Sequence, residues 1–136
     1  MQIREFRMDD YHQVIAVWQA TGLKVGRTET QEGIRKKLER DSDLFLVAQD
    51  GDRIVGVVLG SYDGRRGWIN RLAVVPDHQG AGLGLRLVAE LETRLKAKGC
   101  QKANLLIEPS NAKVQGFYAR LRYGVDDLIF MEKWRG

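Results

Sequence analysis

The chain has a single cysteine, two prolines and two histidines among 136 residues. A lone Cys100 excludes a disulfide framework and a cysteine-based metal site, and two isolated histidines do not make a metal centre. No metal is expected. No run approaches the ~18 apolar residues that a membrane span needs. The opening Met1-Gln2-Ile3-Arg4-Glu5-Phe6 lacks the apolar core of a signal peptide. A cytoplasmic protein without membrane association is the expectation. Motifs for nucleic acid are also missing, so the net charge of +4 is read as a modest surface property and no nucleic-acid partner is expected.

What is present is the composition of an ordinary folded domain, 43% hydrophobic and 29% charged, with no repeat or linker. One domain over residues 1–136 is expected. Ile3 and Phe6 mark a first strand. Asp9 or Asp10 is placed to cap a helix carrying Val14, Val17 and Trp18, which Gly22 ends. A thinly apolar helix with an internal Gly33 spans Glu29 to Arg40. Leu44–Gln49 and Arg53–Gly60 read as strands joined at Asp50-Gly51, and Trp68–Val75 as the next strand. Leu87, Val88, Leu91 and Leu95 then form the apolar face of a long helix, with Gly99 at its end. Ala103–Ile107 gives a strand, Ala112–Leu121 a helix, and Leu128–Trp134 a last strand. The order β-α-α-β-β-β-α-β-α-β describes a mixed α/β sheet covered by helices, distinct from the strict alternation of a doubly wound fold.

The most informative stretch follows the apolar run ending at Val75: Pro76-Asp77-His78-Gln79-Gly80-Ala81-Gly82-Leu83-Gly84-Leu85. Glycine lets the backbone approach a ligand closely, and the first turn of a helix offers N–H groups with no intrahelical acceptor. Together with the helix dipole these suit an anion such as pyrophosphate. The spacing fails the dinucleotide fingerprint, because Leu85 and Leu87 stand where its last glycine belongs. It fails the P-loop as well, because Leu85 and Arg86 follow Gly84.

The spacing Gln79-x-x-Gly82-x-Gly84 resembles the GNAT superfamily of N-acetyltransferases, in which this motif follows the fourth strand and binds the pyrophosphate of acetyl-coenzyme A. A second segment, Asn111-x-x-Val114-x-x-Phe117-Tyr118-x-x-Leu121-Arg122-Tyr123, is similar to the family's other signature. Asn111 is placed to cap that helix. Val114 replaces the family's usual Ala, and Arg122 its usual Gly, so the helix is expected to end differently, using Gly124. The strand order is the family's too.

The resemblance implies acetyl-CoA as acyl donor, with Gln79, Gly80, Ala81, Gly82, Leu83 and Gly84 at its pyrophosphate and Leu72, Ala73 and Val74 along its pantetheine arm. Asn111 and Phe117 join the cofactor-binding set, and Tyr118 is implied as the acid that protonates the departing thiolate. The activity implied is transfer of an acetyl group to a primary amine of a small molecule or protein by direct attack in a ternary complex. The alternative is a non-catalytic module that senses acyl-CoA, because the strand Trp68-Ile69-Asn70-Arg71-Leu72 lacks the carboxylate that many relatives use as base. Asp63, Glu108, His78 and ordered water remain candidates for that role. The acceptor side is expected over residues 21–41, 62–66 and the chain's end, with the amine unidentified. An exposed last strand would also be able to pair two copies into a homodimer.

Overall fold

Five strands of the computed structural model, which describes residues 1–136, form one sheet in the order of the sequence. They are β1 (Gln2–Glu5), β2 (Phe45–Asp50), β3 (Arg53–Tyr62), β4 (Gly67–Val74) and β5 (Ala103–Leu105). Neighbours are antiparallel except β4 and β5, which are parallel. A parallel pair needs a long crossover, and the helix after the glycines supplies it. The chain divides into two compact units, Met1–Leu105 and Leu106–Gly136.

In the first unit, β2 and β3 form the expected hairpin, but its two-residue turn is Gly51-Asp52, with Gly51 at φ 61° and Asp50 the last residue of β2, paired with Arg53. Successive residues of β3 face opposite sides of the sheet. Gly56 and Gly60 face the crossover helix α3 (Leu83–Ala97): a Cβ at Gly60 would lie 2.3 Å from Leu91 Cδ1, and one at Gly56 2.9 Å from Leu87 Cδ1. Small residues on the strand thus let the leucine face of α3 settle onto the sheet. Elsewhere in the core, Phe45 of β2 stacks on Phe6 and on Trp18 of α1 (Tyr11–Ala20), with ring centroids 4.2 and 6.2 Å apart.

The helix ends refine the sequence reading. Gly22 (φ 81°) and Gly99 (φ 92°) each close a helix through paired backbone bonds, Leu23 N to Trp18 O and Cys100 N to Leu95 O among them. At the start of α1, Asp10 occupies the cap position, but its side chain makes no cap hydrogen bond. Asp10 instead accepts the Arg7 N–H and both terminal nitrogens of Arg4, because the buried guanidinium competes for its carboxylate. The second helix, α2, runs Gln31–Asp41 with Thr30 as its cap, its hydroxyl accepting from Gly33 N at 3.1 Å. Gly33 is required there, since a Cβ would lie 2.2 Å from Thr28 O.

The second unit holds a 3-10 segment, Pro109–Val114, and the short helix α4, Gln115–Arg120. The helix expected over Ala112–Leu121 is therefore shorter, and the strand expected over Leu128–Trp134 does not form. Leu128, Ile129, Phe130 and Met131 are all exposed. Four consecutive apolar residues carry no alternation that would commit one face to a core, so nothing in the segment fixes a strand register.

Candidate functional site

β4 leads directly into the glycine loop. Val75 is buried and donates its N–H to Val55 O at 2.9 Å, which ties the exit of the strand to β3. Pro76–His78 make one 3-10 turn. The Gln79 side chain then reaches back to Val74 O at 2.8 Å, fixing the entrance of the loop. Gly80 and Gly82 take φ of 85° and 84°, which side chains disfavour. At the far end Leu83 and Leu87 are buried and pin the first turns of α3. The first backbone bond of that helix is Arg86 N to Gly82 O, and the N–H groups of Gly80 through Leu85 have no protein acceptor. Six consecutive free donors stand at the positive end of a 15-residue helix. Such a row of donors is suited to an anion with several acceptor oxygens.

The upstream strand is open on one side. The β4–β5 ladder consists of Gly67↔Ala103, Trp68↔Asn104 and Ile69↔Leu105 and stops there. From Asn70 to Val74 the β4 backbone has no β5 neighbour, and this edge carries Leu72, Ala73 and Val74. Opposite β3, register shifts between Val57↔Ala73 and Leu59↔Asn70, so Arg71 and Leu72 form a bulge against Val58. Arg71 occupies the left-handed region at φ 55°. Such a conformation in a non-glycine residue persists only where its surroundings enforce it.

Those surroundings are specific. Trp18, fully buried, donates its indole N–H to Arg71 O at 2.9 Å, and the Arg71 guanidinium lies 4.3 Å over the same ring. Arg71 Nη2 donates to Lys24 O at 2.5 Å, and Nη1 is 3.6 Å from Glu29 Oε1. Burial lowers the guanidinium's pKa and Glu29 opposes that shift. The Nε–H is shielded from water and has no acceptor. Sequence reading did not single out Arg71; its only signal was the one charged residue in the strand leading into the loop.

Of the candidate bases, Asp63 is committed to a turn. Its Oδ1 accepts the N–H groups of Arg66 and Arg65, which hold its carboxyl below the usual range. His78 lies between two carboxylates: Nε2 is hydrogen-bonded to Asp50 Oδ2 at 2.9 Å, and Nδ1 is 3.4 Å from Asp77 Oδ1, close enough for an ion pair but without a hydrogen bond. Its pKa is raised, chiefly by the hydrogen bond to Asp50. Asp77 is also gripped by both terminal nitrogens of Arg53 and is held down to about 2, the Arg53 bond being the main cause. His78 is thus a brace between the glycine loop and the β2–β3 turn. Glu108, in the second unit, is exposed and precedes the 3-10 segment.

In the second unit Tyr118 is buried and packs edge-on against Phe117 and Tyr123, at 5.1 and 5.7 Å between centroids. Burial pushes its hydroxyl up to about 12, so it stays protonated at neutral pH. Asn111 does not cap the helix. It lies inside the 3-10 segment with φ −116°, and Val114 takes the cap position, because Pro109 starts the turn early. Gly124 is not used to end α4. Arg122 itself adopts φ 71°, with Arg122 N bonding Ala119 O and Tyr123 N bonding Tyr118 O. The left-handed closure is made with an arginine where glycine is customary.

A five-stranded mixed sheet with this crossover, an open β4 edge and a glycine loop of free N–H donors defines an acyltransferase-type domain. The model of the acetyltransferase (GNAT) family matches residues 2–123, and the chain belongs to that family. An acetyltransferase of Pectobacterium atrosepticum is 41% identical over 133 residues, covering 98% of this chain and 94% of that one. An acetyltransferase of Sodalis glossinidius is 39% identical over 131 residues, covering 96% and 92%. Among solved structures, the PaiA N-acetyltransferase of Thermoplasma acidophilum in complex with coenzyme A has a TM-score of 0.82 at 20% identity, covering 94% of this chain and 92% of that one. Ard1 of Thermoplasma volcanium gives 0.82 at 21%, covering 93% and 84%. The resemblance stated from the two motifs is borne out, and so is the α/β class with its mixed sheet.

Proposed function

We propose that the protein transfers an acetyl group from acetyl-CoA to a primary amine by direct attack in a ternary complex. The observation that carries this reading is the row of free N–H groups from Gly80 to Leu85 beside the open edge of β4. The pyrophosphate accepts hydrogen bonds from that row, at Gly80–Gly84, with Gln79 holding the entrance of the loop through Val74 O, and the pantetheine arm lies along Leu72, Ala73 and Val74 as an added strand. A β4 backbone N–H then faces the thioester oxygen, where negative charge grows as the amine attacks. The tetrahedral species collapses by breaking the carbon–sulfur bond, and Tyr118 gives its proton to the leaving thiolate. A phenol raised to about 12 is fully protonated at neutral pH, as that role requires. Asn111 and Phe117 complete the cofactor-binding set.

The amine must lose a proton before it attacks. Asp63 is withdrawn from that role by its turn bonds, and His78 by its neighbouring carboxylates, which leaves Glu108 and ordered water as the candidates. The family match crosses the junction of the two units, which supports reading residues 1–136 as one domain. A cytoplasmic location belongs to the same reading; no helix is long and apolar enough to cross a membrane.

The test is steady release of CoA thiol from acetyl-CoA with a panel of amines, after subtraction of background hydrolysis. Amine-dependent release supports a transferase. Tight binding of acetyl-CoA with no amine-dependent release favours the sensing module instead.

A further inference from the structure

Two arginines of the first unit are largely buried, and they are treated differently. Arg4, 14% exposed at its side chain, uses every nitrogen: Nε donates to Gln49 Oε1, Nη1 to Asp10 Oδ2 and Glu5 O, and Nη2 to Asp10 Oδ1. Arg71, 21% exposed, has one hydrogen bond, from Nη2 to Lys24 O, and its Nε–H has none. Its ion-pair partner Glu29 lies beyond hydrogen-bond distance and is already engaged. Glu29 Oε1 accepts the Gly26 N–H at 2.9 Å, and Oε2 accepts the Thr28 hydroxyl. A guanidinium placed only for stability would have its donors satisfied, as Arg4 does, because an unmet buried charged donor is costly.

We propose that Arg71 determines acceptor specificity by binding a carboxylate carried on the same small molecule as the reacting amine, so that the acceptor is an amino acid. The inference rests on the acetyl-CoA reading above. With the pyrophosphate at the loop after Val74 and the arm running back along Leu72–Val74, the thioester comes to the Arg71 end of that edge. A planar guanidinium whose Nη1 makes no hydrogen bond and whose Nη2 makes one matches a carboxylate in fork geometry through these terminal nitrogens, which a lysine would not reproduce. The indole face of Trp18 beneath it keeps the group oriented without using any of its N–H donors. The local charge favours the same ligand: the segment that Arg71 touches carries Lys24, Arg27 and one carboxylate, Glu29. An acceptor bearing only its ammonium would meet this cationic corner unfavourably.

The experiment is calorimetric titration of the CoA-saturated protein with matched probes: L-lysine against cadaverine, L-phenylalanine against phenethylamine, and L-alanine against ethylamine. Each pair differs by one carboxylate. At least one acid is expected to bind, with its decarboxylated counterpart at least about tenfold weaker, a gap of roughly 1.4 kcal/mol. In Arg71→Gln that difference should shrink below about twofold while the affinity for CoA is kept, and Arg71→Lys should retain part of it. A residue that merely stiffens the fold would change stability and leave the paired ratio unmoved. Equal binding within every pair, no binding by any acid, or a preference that survives in Arg71→Gln overturns the proposal. The wild-type pairs decide even where a variant does not fold. Failure of the wild-type protein to bind CoA at all overturns the acetyl-CoA reading and this inference together, whereas CoA binding without a carboxylate preference overturns this inference alone.

Discussion

Trp18 grips Arg71 twice: its indole N–H donates to the Arg71 carbonyl at 2.9 Å, and its ring lies 4.3 Å beneath the guanidinium. The two residues are 53 positions apart, and together they hold the bulge of β4 and the segment after α1 in one arrangement. Trp18→Phe keeps an aromatic surface and deletes the donor. The carbonyl left without a partner should cost about 1–3 kcal/mol, read from the urea midpoint. Acetyl-CoA affinity should be nearly unchanged, because the loop donors are untouched. A stability loss within measurement error would show that the bulge does not depend on this bond.

Arg122 presents the opposite sign. It closes α4 at φ 71°, a conformation that disfavours side chains by roughly 1–2 kcal/mol. A Cα without substituent relieves that strain, at some entropic cost in the unfolded chain. Arg122→Gly is therefore expected to stabilise the protein by about 1 kcal/mol, visible as a higher melting temperature. A lower one would mean that the Arg122 side chain contributes more than its backbone strain costs.

The ionic brace at the loop makes stability depend on pH. The pKa of His78 is raised by Asp50 first and by Asp77 as well, so the folded state binds the proton more tightly than the unfolded chain. The contribution is complete below the unfolded value near ~6.5 and disappears as pH rises through the higher folded value. Urea midpoints of the wild type should fall relative to His78→Gln across that window, and the two curves should run parallel above it. At the acid end Asp10 acts in the other sense. Burial raises its carboxyl, but the bonds from Arg4 and Arg7 outweigh this and hold it below the usual range. Its contribution is present above ~3.9 and is lost as pH falls through the depressed value.

Gly82 and Gly64 offer a paired control. Both have positive φ, 84° and 96°, and neither has an atom within 4 Å of a prospective Cβ. Alanine at either position should cost about 1–2 kcal/mol of stability from backbone strain. Only Gly82→Ala should also weaken acetyl-CoA binding, by about tenfold, because the strain reorients donors that face the pyrophosphate. Equal effects of both variants on acetyl-CoA would remove the loop from the binding site.

What could be read from the chain alone was whatever local pattern dictates. The β2–β3 hairpin at Gly51, the leucine face of α3, the helix ends at Gly22 and Gly99 and the glycine loop each rest on residues adjacent in sequence, and all stand in the structure. The features that escaped depend on tertiary competition. Asp10 was drawn from its helix cap by Arg4, Gly33 was demanded by Thr28 O, and Arg71 gained its role from Trp18 and Glu29 on other elements. The segment from Leu128 to Trp134 has strand-forming residues without alternation, and composition alone was a poor guide there.

The central claim is that the Gly80–Leu85 donors bind the pyrophosphate of acetyl-CoA. Calorimetry of the protein with acetyl-CoA and with S-acetylpantetheine, which shares the thioester arm and lacks the pyrophosphate, tests it most directly. The account predicts that acetyl-CoA binds at least about a hundredfold more tightly, a gap of roughly 2.7 kcal/mol, and that Gly82→Ala narrows the gap. Equal affinity for the two compounds, or no binding of acetyl-CoA, would contradict it.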